Sequence, residues 1–375
     1  MKRYPVLILG GYGNFGKRIS MSLAKDHRIA VLIAGRNSVK ANALARTITE
    51  DIPNGTARGY PLDIESAEFV TRLRNSGARL VIHTSGPFQG QDYRVATACI
   101  EAEIDYIDLA DDRRFVSSIS QLADQAMEKE VLVISGASSV PGLSSAVIDQ
   151  FLPQFKQLRS IRHNIAPGNR AERGEATVKA ILSYTGQPFR RWQSGQWVTV
   201  YGWQDIHKRR YPDPIGSRWL ANCDIPDLEL FPQRYSSVED VVFHAGLELG
   251  LLHIGMYAMA SISRLHLIDN WSRYARPITA MSRWFERLGT DIGGMAVEMA
   301  GEDSEGKALM ITWSLIAGSG HGPEIPSIPA IILAKKLAAG TRPQPGAIPC
   351  MGLFTVQEFL DEVKGWDISQ QIQTT

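Results

Sequence analysis

Apolar runs separated by helical stretches dominate the first third of the chain. Val6-Leu7-Ile8-Leu9 and Ile29-Ala30-Val31-Leu32-Ile33-Ala34 are continuous and rich in β-branched residues, the pattern of strands buried on both faces. Between them Ile19, Leu23 and Ala24 recur at helical spacing. The alternation continues with a helix over 39–50, a strand over 56–62, and a helix over 66–75 that Ser66 would cap. Next come a strand over 80–84, a helix over 93–102 and a strand over 106–109, then a helix over 117–129 and a strand over 131–134. Such βα alternation predicts a parallel sheet with helices on both faces. After a helix over 143–151 the texture changes to longer, alternating strands over 158–165, 196–203 and 238–245, with a helix over 174–184. Long helices fill 247–288, and strands over 294–301 and 307–317 flank a Gly-Glu-Asp-Ser-Glu-Gly turn, a hairpin pattern. The tail carries helices over 326–339 and 356–363 with no strand character.

These elements predict an α/β chain: a Rossmann-type doubly wound parallel sheet with an inserted mixed-sheet α+β second domain. The boundaries expected are 1–145 for the first domain, with 325–375 packing back on it, and 146–324 for a substrate or dimerisation domain. A length of 375 residues suits two domains. With 44% hydrophobic and 21% charged residues the composition is that of a soluble globular protein, and a net charge of +1 gives no sign of nucleic acid or an anionic membrane. Cys99, Cys223 and Cys350 stand far apart with no C-x-x-C pair, which argues against a disulfide framework or zinc. Met1-Lys2-Arg3-Tyr4-Pro5 runs straight into the first strand, leaving no room for a signal peptide, so a cytoplasmic location is expected. The apolar stretch 247–268 is long enough to span a bilayer, but Glu248, His253, Arg264 and His266 make a buried or interface helix the better account.

The first strand opens into Gly10-Gly11-Tyr12-Gly13-Asn14-Phe15-Gly16, where Gly11, Gly13 and Gly16 fit G-x-G-x-x-G between a strand and a helix. The glycines serve a tight turn, close approach of backbone to a pyrophosphate, and close packing of helix on strand. A helix N-terminus behind them aims N–H groups at the phosphates. The second strand ends in Gly35-Arg36-Asn37, where an acidic residue would serve the ribose hydroxyl of NAD. A guanidinium there grips a 2′-phosphate, so Arg36 points to NADP. By the same geometry Asp63 and the loop Ser85, Gly86, Pro87 and Phe88 join the turn at the carboxyl ends of the strands. Asp63 reads either as an acceptor for the adenine amino group or as a charge at the start of the next helix.

No residue declares itself as proton donor. Lys179 and Tyr184 on the 174–184 helix, and His321 in Gly318-Ser319-Gly320-His321-Gly322-Pro323, are the candidates, each also readable as an ordinary surface residue. Arg190-Arg191 and Lys208-Arg209-Arg210 could receive a substrate carboxylate or phosphate, or form a solvated basic face. The methionine-bearing run 251–259 could line an apolar pocket, or pack in a core or dimer contact. H-E-x-x-H, G-x-S-x-G and G-x-x-x-x-G-K-[ST] are all missing, which removes the zincin, α/β-hydrolase and P-loop readings.

Taken together, the glycine turn, Ala34-Gly35-Arg36, His83-Thr84-Ser85-Gly86-Pro87-Phe88, Ala98-Cys99-Ile100-Glu101-Ala102, Tyr106-Ile107-Asp108 and Ser135-Gly136-Ala137 with Pro141-Gly142 resemble the saccharopine dehydrogenase-like oxidoreductases over the first 150 residues or so. The hairpin and the Pro-rich tail look like longer members of that family. The resemblance implies dinucleotide contacts at Gly11, Gly13, Gly16 and Arg36 and along 85–88; the neighbouring Tyr12, Asn14, Phe15 and Asn37, with Asp63, complete the candidate NADP(H) site. It also implies an inserted substrate domain of mixed sheet and a return of the C-terminus to the first domain; from the cysteine spacing, no metal is expected. The family's substrates range from imine-linked amino acids to lipid-like enoyl compounds. The expected function is therefore an NADP-dependent oxidoreductase acting on a C=N, C=O or activated C=C, possible as a homodimer, with no membrane span. A non-catalytic NADP(H)-binding regulatory protein is the alternative.

Overall fold

The computed structural model describes residues 3–172 and 174–375, so Met1 and Lys2 of the expected start lie outside it. The chain divides into two compact units, Met1–Leu143 with Glu324–Glu362 and Ser144–Pro323 with Val363–Thr375.

The first unit is built on β1 (Tyr4–Leu9), β2 (Ile29–Gly35), β3 (Ala57–Pro61), β4 (Leu80–His83), β5 (Asp105–Asp108) and β6 (Leu132–Ser135). A seventh strand, Gly346–Pro349, joins beside β6, and the spatial order is 3-2-1-4-5-6-seventh with every pair parallel. Val6, Leu7, Ile8 and Leu9 are all buried, so residues of both parities face protein, as the unbroken apolar run requires. The chain fills the sheet outward from β1 in one direction and then, from β4, in the other. Sheets of this kind take their ligands at such a reversal, here outside the carboxyl ends of β1 and β4. The helices α1 (Asn14–Leu23), α2 (Ser38–Asp51), α3 (Phe69–Ser76) and α4 (Arg94–Glu101) connect the first five strands.

Two local expectations shift. Ser66 caps no helix: its Oγ accepts from the Glu68 N–H in a preceding turn, and α3 starts at Phe69. The helix expected over 117–129 is three pieces, Arg113–Ser117, a 3₁₀ turn Ile119–Leu122 and Ala123–Glu128. Asp112 starts the first piece early by accepting from the Phe115 N–H at 2.8 Å. Ile119 and Leu122, three apart and both buried, suit the eclipsed spacing of a 3₁₀ turn.

The second unit is a mixed sheet of β7 (Gln157–Ala166), β8 (Pro188–Gln193), β9 (Gln196–Tyr201), β10 (His207–Arg210), β11 (Ser217–Asn222), β12 (Asp240–Leu247), β13 (Gly293–Glu302) and β14 (Ala308–Ala317). The order is 10-11-12-7-13-14, with β7 and β12 parallel and the β8–β9 hairpin attached to β12. A last strand, Ile368–Thr374, pairs antiparallel with residues 311–317 of β14, and Trp313 at the centre of β14 donates to Gln370 Oε1 at 2.7 Å. The expectation that all of 325–375 would return to the first unit is therefore corrected for 363–375. The physical reason is that Ile368-Ser-Gln-Gln-Ile-Gln-Thr374 supplies few apolar side chains, and edge pairing with β14 holds it through backbone bonds instead. Strands β8, β10 and β11 and the helix Asp227–Arg234, which contains Pro232, were also unread in the sequence.

A buried polar group joins β4 to β5 in the first unit. Tyr106 Oη lies 3.0 Å from His83 Nδ1, and Asp108 Oδ1 accepts from Ala110 N–H, Gly136 N–H and Ser135 Oγ at 3.0, 2.8 and 3.0 Å. Burial pushes the Asp108 carboxyl up to about 6 and the His83 imidazole down to about 3. A carboxyl with a raised folded-state pKa contributes stability that is present in acid and lost as pH rises from its unfolded value of 3.8 through about 6. His83 works in the opposite sense: its contribution is full above its unfolded value of 6.5 and is lost as pH falls toward about 3. Between about pH 4 and 6 the two slopes oppose one another. Asp108→Asn removes one of them, so urea unfolding of that variant should lose about 2 kcal/mol more than the parent on acidification across this window. Equal slopes in parent and variant would refute the opposition.

Candidate cofactor site

The turn between β1 and α1 is set by how little space its backbone leaves. Gly10 has φ of +80°, and a Cβ there would lie 2.7 Å from Ser85 Oγ and 2.8 Å from Thr84 Oγ1. At Gly16 a Cβ would run into Gly10 O and stand 2.7 Å from Gly11 Cα, so only hydrogen allows α1 to approach the turn. The Gly13 N–H donates to Gly10 O at 2.8 Å, and Ser20 Oγ from the next helical turn donates to Gly11 O at 3.2 Å. Helix α1 then begins with Gly13 as an N-cap that has no capping side chain, and no acidic residue stands in its first turn. Its opening N–H groups and positive dipole end are left for an anion. Asn14 adds a buried Nδ2 without a hydrogen-bond partner among the described residues, while its Oδ1 accepts from Arg18 Nη1 at 3.1 Å. An orphaned donor beside an uncapped helix start fits a pyrophosphate.

Tyr12 ties this turn to the end of β2. Its ring lies on Gly35, where a Cβ would come within 2.6 Å of the ring, and its hydroxyl accepts from the Asn37 N–H at 3.0 Å. Arg36 is exposed, and among the described residues it makes no hydrogen bond or ion pair. Asn37 caps α2, accepting from the Lys40 N–H at 3.0 Å. Lys40, also exposed, puts a second cation in the first turn of α2. Sequence reasoning missed Lys40, although a basic residue at a helix start, where acidic ones are favoured, was the available signal.

The other expected contacts divide. Asp63 follows β3 at the same end of the sheet, and its Oδ1 accepts from the Glu65 N–H at 3.1 Å, so the carboxylate organises the turn ahead of α3. Ser85, Gly86 and Pro87 are half-exposed in the loop after β4. Gln91, unread in the sequence, holds that loop by donating to Ser85 O at 3.0 Å and Pro87 O at 2.6 Å. The Phe88 ring turns inward against His83 and Phe115, with centroids 5.0 and 5.2 Å away, which leaves only its backbone for a ligand.

The proton-donor candidates lie in the second unit and each is engaged. Lys179 pairs with Glu175 at 2.9 Å across one helical turn, and Tyr184 Oη lies 3.0 Å from Cys223 Sγ. His321 is held on the loop: its Nδ1 accepts from the Asp367 N–H at 3.1 Å and its ring stacks on Trp366. Strand alternation splits the Arg190-Arg191 cluster. Arg190 lies over the Trp197 ring, whereas the guanidinium of Arg191 turns to Asn222 Oδ1 at 3.0 Å. His244 faces Asn222 in the neighbouring register and packs its ring on His207 at 4.4 Å. Burial, then the nearby His207 and Arg191, push His244 down to about 3. Among the described residues no group of three or more His, Cys, Asp or Glu could hold a metal ion.

Residues 6–137 match the family model described as the saccharopine dehydrogenase NADP binding domain. This stretch is similar to saccharopine dehydrogenase NADP-binding domains. Its dinucleotide is NADP(H). The whole chain shares its fold with apo saccharopine dehydrogenase (L-Glu forming) from Saccharomyces cerevisiae, at a TM-score of 0.72 and 16% identity over 99% of this chain and 100% of that one. RhlG from Pseudomonas aeruginosa in complex with NADP covers 36% of this chain and 71% of its own, at 13% identity and a TM-score of 0.30. A comparison with curated proteins finds no match.

The tightness of the NADP-binding turn makes a prediction. Gly16→Ala forces α1 off the turn, an overpacking that costs about 1–3 kcal/mol, and should weaken NADPH binding at least about tenfold. Thermal melting and NADPH fluorescence read the two effects, and unchanged values in both would contradict the packing account.

Proposed function

We propose that the protein is an NADP(H)-dependent oxidoreductase acting on a C=N, C=O or activated C=C. When bound, NADP(H) supplies or accepts the hydride. The chain's residues seat and orient: the uncapped start of α1 and Asn14 Nδ2 receive the pyrophosphate, and Arg36 with Lys40 receives the 2′-phosphate. The Tyr12 hydroxyl accepts from Asn37 and keeps its own proton to donate to the same anion. The single observation that carries this reading is Arg36, exposed and without an ion-pair partner among the described residues, where an NAD site would hold a carboxylate. A charge-assisted phosphate contact contributes about 1.5–3 kcal/mol, or roughly 10–100-fold in affinity. Fluorescence titration should therefore show NADPH binding well above NADH, with Arg36→Glu abolishing the preference and leaving NADH affinity within about threefold. Equal binding of the two dinucleotides to the parent would overturn it.

A substrate bearing a carboxylate is favoured by the group of Arg191, His207 and His244 in the second unit. Three cationic or protonatable side chains converge there; Arg191 also donates to Gln193 Oε1 at 2.8 Å, and Asp205 accepts from Asn222 Nδ2 at 2.6 Å. A carboxylate placed among them raises the pKa of His244 from about 3, which proton NMR of the imidazole follows during titration with a dicarboxylate such as glutarate. A His244 resonance indifferent to the anion would remove that substrate class. The engagement of Lys179, Tyr184 and His321 keeps the regulatory alternative in play. Tight NADPH binding without NADPH oxidation across carbonyl, imine and enoyl panels would favour it.

A further inference from the structure

Nine of the thirteen exposed large apolar side chains among the described residues fall between residues 251 and 288 of the second unit. On the helix Gly250–Arg264 the inner face, His253, Met256, Ala260 and Ser263, is buried, yet Leu251 and Ile254 on its other side stand in solvent. Beyond the helix, Leu267 is 71% exposed and Trp284 is 81% exposed. The run 251–259, which the sequence left open between pocket lining and packing, thus turns one apolar stripe outward.

Hydrogen bonds tie the later segment to the helix at two places. Glu248, two residues before the helix, accepts from the Asn169 and Thr290 N–H groups at 2.7 and 2.8 Å, and Asn169 Nδ2 donates to Phe285 O at 2.8 Å. These bonds fasten 285–290 beside the start of the helix, where Leu251 lies. At the other end Trp271 Nε1 donates to Met259 O at 3.0 Å, which brings the next segment back along the helix.

The charge in this region is lopsided. From Gly250 to Leu288 the sequence carries Arg264, Arg273, Arg276, Arg283 and Arg287 against Asp269 and Glu286. Arg273 is exposed, and Arg276, although 3.4 Å from Glu175, keeps 85% of its side chain in solvent. A second copy docked on this face would set arginines against arginines. An anionic lipid surface answers both features at once: headgroups take Arg273 and Arg276, and the acyl boundary takes the leucines and the tryptophan. Among the described residues no helix is long and apolar enough to cross a membrane, so the contact is one of lying on the surface. We propose that residues 250–288 form a peripheral docking face for anionic lipid bilayers.

The test is co-sedimentation of the full chain with vesicles of phosphatidylcholine alone or with about a third phosphatidylglycerol. The expected result is at least about tenfold stronger partitioning onto the anionic vesicles, weakening with salt, and a blue shift of tryptophan emission. Leu267→Ser with Trp284→Ala should lose the blue shift and most of the binding. Arg273→Glu with Arg276→Glu should lose the preference for phosphatidylglycerol. Both pairs change exposed side chains, and NADPH titration of the same samples reports that the chain is folded. Binding indifferent to lipid charge, no binding at all, or a dimer in sedimentation velocity that Trp284→Asp dissolves would each overturn the proposal, the last assigning the face to a second copy.

Discussion

Backbone against backbone at the first βα corner is the contact on which the first unit depends. No methyl group fits between Gly16 and Gly10–Gly11, and none fits at Gly10 against Thr84 and Ser85. That closeness does three things together. It seats α1 on the sheet, brings an uncapped helix start to the carboxyl ends of β1 and β4, and sets the turn so that Tyr12 reaches Gly35 and Asn37. The phosphate cradle and the basic end of β2 are therefore parts of one packed object. The tyrosine is the link that a glycine motif read alone does not contain.

The electrostatics follow position rather than total charge. A net charge of +1 conceals local arrangements of quite different kinds. Arg36 after β2 and Lys40 in the first turn of α2 stand exposed, suited to a phosphate that arrives from solvent. His83 and Asp108 are sealed inside, where burial drives each toward its neutral form and hydrogen bonds decide what remains. In the second unit the arginines of 250–288 accompany exposed leucine and tryptophan, a combination that global composition averages away.

What the sequence made legible was what local pattern controls. Unbroken apolar runs such as Val6 to Leu9 announced the parallel sheet, and the hairpin of β13 and β14 was readable within a residue or so because both strands alternate around a polar glycine turn. Strands such as β10, His-Lys-Arg-Arg, were hidden because their hydrogen bonds come from neighbours and their side chains face water. The strand Ile368–Thr374 was invisible for the same reason. At the proposed cofactor site the glycines and Arg36 were legible in advance as candidates, since each would act through its own backbone or charge. Gln91 could not, because its role lies in two carbonyls that only the folded loop after β4 brings within reach. The inward turn of Phe88 was equally a matter of tertiary packing.

The central proposal is that the exposed guanidinium of Arg36 meets the extra phosphate of the dinucleotide. Phosphorus NMR of NADP⁺ bound to the protein, followed through a pH titration, tests it most directly. A phosphate monoester free in water takes up its proton near a pKa of about 6. Held against Arg36, the 2′-phosphate should remain dianionic at least about one pH unit further into acid, and Arg36→Gln should return it toward the free value. A bound 2′-phosphate that titrates as it does in free NADP⁺ would contradict the account.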